Sequence, residues 1–187
     1  MTCFAYGRGT GGEQILNLKG GYSNSIEEAI DGEKTGYQPP ARKQLFWEDV
    51  KEGDELPSIR MPINMTRCVY FASATRDFAP QHSNPEYAKT RSKTRDAFVN
   101  TQVNLGMVSR LATDWAGPTA TVRRLKLKMK DNVCRGDDMI ITGRVLKKYE
   151  KDGEHRVDID VLISNQEQPT TPCEATVALP SRAATQK

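Results

Sequence analysis

The segment DAFVNTQVNLGMVSRLATDWAG, residues 96–117, constrains the fold of this chain more than any other. Val99, Val103, Met107, Leu111 and Trp115 recur in it every four residues, and Leu105, Val108 and Ala112 widen the stripe. About five helical turns therefore present one broad apolar face. Such a helix is stable only when buried along most of its length. Gly106 in its interior costs about 1 kcal/mol relative to alanine, which predicts close packing on a sheet at that point. Gly117 and Pro118 supply the stop.

The sheet is expected downstream. VRRLKLKMK alternates Leu125, Leu127 and Met129 with Arg124, Lys126 and Lys128, the period-two pattern of a strand with one wet face. A solvated strand face accounts for its basic residues without nucleic acid. After a CRGDD turn, MIITGRVLKKYE and HRVDIDVLISNQ flank KDGE, where Asp152 and Gly153 suit the positive φ of a tight hairpin. Val157, Ile159, Val161 and Ile163 face one way, and CEATVALP forms a last strand. Helices first, antiparallel strands after, and one long apolar helix that needs a sheet around it make an α+β domain.

Upstream, residues 1–44 read as an arm: glycine-rich and polar, closing on Pro39 and Pro40. A capping box from Ser25 to Glu28 predicts a short helix there. Gly7, Gly9 and Gly12 match GxGxxG, but no strand precedes them and no alternation of strands and helices follows, so a dinucleotide site is not expected. From Leu45, LFWEDV runs into a KEGDELP turn, SIRMPI forms a strand, and Thr66 opens a helix that stops near Asp77. Asn84 as N-cap, Pro85 at the first helical position and Glu86 in the first turn start another short helix.

Composition narrows the function. A chain of 187 residues suits one domain plus an appendage. The formal charge of +3, from 27 basic and 24 acidic residues spread along the chain, is too balanced for a protein that neutralises many phosphates. Cys3, Cys68, Cys134 and Cys173 lie far apart without a CxxC pair, and there are two histidines, so neither a zinc cage nor a disulfide framework is expected. Reduced thiols, no apolar run near the roughly 20 residues that span a bilayer, and no signal-peptide pattern point to the cytoplasm. The sequon at Asn64 then carries no meaning.

The stretch DFAPQHSNPEYA holds the chemistry. Asp77 and His82 straddle a helix end and converge only if the loop doubles back, and Pro80 limits how it can, holding itself and Ala79 extended. A carboxylate beside an imidazole offers a proton acceptor and donor to one water, which suits hydration or dehydration of a C=C bond. The structural alternative is that Asp77 caps backbone amides and His82 is a plain loop residue. His155, at the hairpin tip, reads as a surface residue without function.

DFAPQH resembles the DxNPxH motif of the MaoC-like hydratases, the (R)-specific enoyl-CoA hydratase branch of the hotdog superfamily. LFWEDVKEGDELP looks like that family's opening strand and turn, FASATRDFAPQHSNPEYA like its helix, catalytic loop and next helix, NLGMVSRLATDWAG like its central helix, and RGDDMIITGRV like its PGD strand entry. The resemblance covers about residues 45–182, leaving the arm and a tail at 183–187 outside. It implies a hotdog fold, a curled antiparallel sheet around one long helix, assembled as a homodimer or a heteromeric hotdog complex. It also implies reversible addition of water to a trans-2-enoyl thioester of coenzyme A or acyl carrier protein, without metal or cofactor and without a nucleic-acid or membrane partner. The catalytic roles fall on Asp77, His82 and the backbone amide of Thr101, with Pro80, Val99 and Asn100 at the substrate site. Ala79 and Asn100 stand where many members carry asparagine and histidine. A non-catalytic hotdog subunit of a heteromeric hydratase and a hotdog thioesterase are the alternatives.

Overall fold

The long helix forms, but it starts later than its apolar periodicity suggests. The computed structural model describes residues 43–185, so the GxGxxG match and the expected capping-box helix of the arm lie outside the described residues. The first element is a single 3-10 turn, Trp47–Asp49, where the resemblance implied an opening strand. Its cause is local: the Phe46 N–H donates to the Asp49 carboxylate at 3.0 Å, and the Asp49 N–H returns to the Phe46 carbonyl. Strand β1 (Glu55–Pro62) follows, then α1 (Met65–Thr75), a 3-10 turn at Pro80–His82, and α2 (Pro85–Thr90). The long helix α3 (Thr101–Ala116) leads into β2 (Thr121–Leu127), β3 (Asp138–Lys151), β4 (Glu154–Ser164) and β5 (Pro169–Leu179), and a short α4 (Arg182–Thr185) comes last.

All strand pairs are antiparallel, and the five strands form one sheet in the order β1-β3-β4-β5-β2. The β3–β4 hairpin turns through Asp152 at φ 54° and Gly153 at φ 74°, as the sequence predicts. Val157, Ile159, Val161 and Ile163 of β4 are all buried, as are Cys173, Ala175, Val177 and Leu179 of β5, and this face closes on α3. Helix α3 touches β1, β2, β3 and β5, so the sheet curls around it and both edge strands reach it. Val103, Met107, Val108, Leu111, Ala112 and Ala116 form its buried stripe.

Two expectations about this helix need correction. Val99 is not helical: its N–H donates to the Val133 carbonyl, the neighbouring Phe98 bridges Cys134, and the chain stays extended until Asn100 caps the helix. The close approach to the sheet is also not made at Gly106, where an added Cβ would meet nothing within 4 Å. It is made from the sheet side, at Gly143 of β3, where a Cβ would lie 3.0 Å from Leu111 Cδ2 and 3.2 Å from Leu56 Cδ2. Gly117 ends α3 at φ 93°, with no room for a side chain against the backbone of Gln44.

Candidate active site

Asn64 starts α1 as its N-cap, taking the Arg67 N–H at 2.9 Å. The helix ends at Arg76 in the left-handed region, φ 54°. The Arg76 N–H donates to Ser73 and the Asp77 N–H to Ala72, the paired bonds of a Schellman ending in which arginine stands where glycine is usual. This sharp exit throws Asp77 off the helix axis. Ala79 is extended at φ −58°, ψ 127°, as a residue before proline must be. Pro80 then opens the 3-10 turn, whose bonds from His82 N–H to Ala79 and Ser83 N–H to Pro80 fold the loop back.

The result is contact between Asp77 and His82. His82 Nε2 lies 3.3 Å from Asp77 Oδ2, the His82 side chain is 8% exposed and that of Asp77 26%. His82 Nδ1 sits 2.8 Å from the Phe98 carbonyl, and the two rings meet edge to face at 4.9 Å. A carbonyl only accepts, so Nδ1 carries a proton and Nε2 is the nitrogen presented to Asp77.

Phe98 ties this pair to the start of α3, and so does a second bond. Asn100 caps the helix by accepting the Val103 N–H at 3.0 Å, and its Nδ2 donates to Thr75 Oγ1 at 2.7 Å, joining the end of α1 to the start of α3. With the Val103 and Asn104 amides taken by Asn100, the first-turn N–H groups of Thr101 and Gln102 remain without a helical acceptor. Both residues are exposed. Thr101 Oγ1 lies 3.1 Å from the sulfur of Met129, beyond the end of β2.

The expected site residues therefore divide. Asp77 and His82 are brought together at one corner, with Pro80 exposed on the turn between them, and Thr101 opens the helix whose cap, Asn100, is tied to the end of α1. Asn100 is 2% exposed and both its polar atoms are committed within the protein. Val99 is 1% exposed in the core. His155 stacks on Trp47 at 5.1 Å, away from this corner.

One side of the corner is braced by crossed ion pairs. Arg95 binds the fully buried Asp137 carboxylate at 2.6 Å, and Arg135 grips Asp96 through two bonds of 2.9 Å. Burial works against the charge on Asp96, but Arg135, the Ala97 N–H and Lys89 outweigh it and hold the carboxyl at about 2. Burial pushes the Cys68 thiol up to about 11 and that of Cys173 to about 12, so neither is a nucleophile near neutral pH.

No protein-family profile matches the chain. The fold is that of R-hydratase PhaJ1 from Pseudomonas aeruginosa, with TM-score 0.65 and 22% identity over 74% of this chain and 88% of that one. It is also that of a MaoC-like dehydratase from Rhodospirillum rubrum, with TM-score 0.64 and 20% identity over 74% and 98%. The crystal structure of the ChsH1-ChsH2 complex from Mycobacterium tuberculosis matches at TM-score 0.63 and 26% identity, over 70% of this chain and 98% of that one. By sequence, the chain is 36% identical over 93 residues to the 3-oxo-4,17-pregnadiene-20-carboxyl-CoA hydratase beta subunit of M. tuberculosis (strain ATCC 25618 / H37Rv), covering 50% of this chain and 71% of the relative. The chain belongs to the MaoC-like hydratase family.

Within this MaoC-like hotdog domain, the residues that sequence reasoning missed are Phe98, which holds His82, Thr75, which holds Asn100, and Met129, which meets Thr101. Phe98 acts through its carbonyl, a group every residue has, 16 positions from His82; Thr75 lies 25 positions from Asn100. No local pattern marks either. Among the described residues no helix is long and apolar enough to cross a membrane.

Proposed function

We propose that this chain hydrates a trans-2-enoyl thioester, or runs the reverse dehydration, with Asp77 and His82 holding the water and the Thr101 amide holding the thioester oxygen. The observation that carries this is the orientation of His82: with Nδ1–H bound to the carbonyl of Phe98, two residues before the cap of α3, Nε2 faces the Asp77 carboxylate. A water bonded to Nε2 and Oδ2 sits off the line joining them. Nε2 takes one of its protons as the water oxygen bonds to C3, while Asp77 accepts the bond from the other. The C=C electrons move onto the thioester as an enolate, whose oxygen takes the Thr101 N–H, and a proton then returns to C2. Water has been added and the pair is restored.

The thioester carrier is coenzyme A or acyl carrier protein, and the working form is an assembly of hotdog subunits. The M. tuberculosis relative is a beta subunit and the ChsH1-ChsH2 structure is a complex, which supports a heteromeric form beside a homodimer. The same fact favours a second reading, a subunit that shapes a partner's site without catalysing. Loss of the enoyl-thioester absorbance on mixing the protein with crotonyl-CoA, and with a bulkier enoyl-CoA, tests the first reading. If the Asp77→Asn protein matches wild type, the catalytic role fails and the supporting-subunit role stands.

A further inference from the structure

Two polar side-chain atoms of the core have no hydrogen-bond partner among the described residues. Asn104 of α3 is 1% exposed, and its Oδ1 has no donor; Thr171 of β5 is fully buried, and its Oγ1 has no partner. Other buried polar side chains are spent: Asn100 on Val103 and Thr75, Thr170 on the Ile163 carbonyl, Thr176 on Asp158. An unpaired amide oxygen or hydroxyl in an apolar interior is costly, and leucine or valine would fill much the same volume without that cost. Packing therefore accounts for neither residue.

Both stand at the end of the core that carries Thr101. Ile59, Ile141, Ile163 and Thr171 are opposed in turn across β1, β3, β4 and β5, one inward row in which a threonine follows three isoleucines. The row continues to Met129, because the Lys128 and Lys130 N–H groups donate to Pro172 and Thr170 and so set Met129 against Thr171. Met129 in turn meets Thr101 Oγ1 at 3.1 Å. On the helix side, Asn104 follows Thr101 by about 4.5 Å along the axis. A helical side chain leans toward the N-terminus, which turns the Asn104 amide back toward the first turn. The inner row of the sheet and the first turn of α3 thus bring both unpaired groups behind Thr101.

Resting on the reading of this chain as an enoyl-thioester hydratase, we propose that Asn104 and Thr171 recognise a hydroxyl group carried on the acyl chain of the substrate. The chemistry of the two groups selects that substituent. An amide oxygen only accepts, whereas a threonine hydroxyl both donates and accepts. A substrate hydroxyl donates to Asn104 Oδ1 and accepts from the Thr171 hydroxyl, so that neither is left unpaired. A ketone has no hydrogen for Oδ1, a carboxylate sets an acceptor and a buried charge against it, and an alkyl chain satisfies neither. The hydroxyl lies about one helical turn and one strand spacing, each about 5 Å, from Thr101. It therefore belongs to the chain beyond C2 and C3 and is not the one that hydration forms.

The test uses the full chain carrying Asp77→Asn, so that thioesters bind without turnover. Calorimetry compares ω-hydroxy-trans-2-enoyl-CoAs with their unsubstituted counterparts, at acyl lengths of about five to nine carbons that bracket this separation. At one length the hydroxylated thioester is expected to bind at least about tenfold more tightly. Thr171→Val and Asn104→Leu should each bring the two thioesters near parity, while Thr171→Ser, which keeps a hydroxyl, keeps the preference. Both apolar variants should also raise Tm, since each removes an unpaired buried group; a purely structural role would lower Tm and leave the preference unmoved. If Asn104→Leu does not fold, Thr171→Val decides. Equal or absent binding of the two thioesters at every length overturns the proposal, and so does a preference that survives Thr171→Val. Turnover is read separately on wild type. Thioesters bound with the hydroxyl preference but never hydrated would end the catalytic reading and keep this subsite, whereas hydration with equal binding would do the reverse.

Discussion

His82 presents Nε2 to Asp77 Oδ2 at 3.3 Å while its other ring nitrogen is held 2.8 Å from the Phe98 carbonyl. The two residues are thus unequal in what their loss should do. Asp77 is partly exposed, and its one further bond is a long one, 3.4 Å from the Ala79 N–H. Asp77→Asn should lower kcat at least about a hundredfold while stability in urea stays within about 0.5 kcal/mol. His82→Ala should lower kcat similarly and also cost about 1–3 kcal/mol of stability, because a packed ring is lost and a carbonyl is left without its donor. Chevron or equilibrium urea curves beside steady-state rates separate the two.

Thr101 stands at the first helical position, where proline is well tolerated, and Asn100 before it is extended at φ −82°, ψ 171°, as a residue preceding proline requires. Thr101→Pro therefore deletes one N–H with the helix kept. The expected result is an unchanged circular dichroism spectrum and a fall in kcat of about 10²–10³. Thr101→Ala keeps the amide and should change kcat little. Equal rates for the two variants would remove the amide from the mechanism.

Asn100 serves as cap and tie at once. Asn100→Asp keeps an acceptor for Val103 N–H but has no donor for Thr75, whose own hydroxyl proton goes to the Phe71 carbonyl at 2.6 Å. The aspartate should preserve most of the stability and reduce turnover, whereas Asn100→Ala should lose about 1 kcal/mol or more from the missing cap. A Tm scan with parallel rate measurements shows the split.

Acid should loosen the corner from the Asp96 side. Its carboxyl is held at about 2 in the fold, below the ordinary 3.8, so the folded state favours the ionised form. The stabilisation is complete above about pH 4 and is lost as pH falls toward 2. In Asp96→Asn that part of the acid dependence should vanish, leaving a protein less stable near neutral pH and with a flatter stability profile between pH 4 and 2, read from urea midpoints.

The helix glycine Gly106 and the strand glycine Gly143 should respond with opposite signs. Gly106→Ala fills open space in a helix and should stabilise by about 1 kcal/mol. Gly143→Ala meets Leu111 and Leu56, both buried and packed on all sides, and should destabilise by about 1 kcal/mol or more. Thermal melts of the pair check the assignment of the close approach to the strand.

Much of the architecture was legible in local patterns because those patterns are governed by nearest neighbours. The four-residue recurrence from Val103 to Leu111, the alternation in β4, the Asp152-Gly153 turn and the Asn84-Pro85 helix start each depend on a few consecutive residues, and each stands in the structure as expected. The Trp47–Asp49 turn escaped because the Asp49 carboxylate, bonding back to the Phe46 N–H, outcompeted a strand.

The sequence by itself determined that a buried helix would be wrapped by an antiparallel sheet, and that Asp77 and His82 would stand on either side of a proline-stiffened bend. Only the tertiary structure decided which way they face. The Arg76 exit, the Phe98 carbonyl and the Asn100–Thr75 bond aim the pair, and their partners lie far apart along the chain. Hydrogen-bond direction falls off within an ångström or so and depends on where the packed core sets each backbone group, so no one-dimensional spacing carries it.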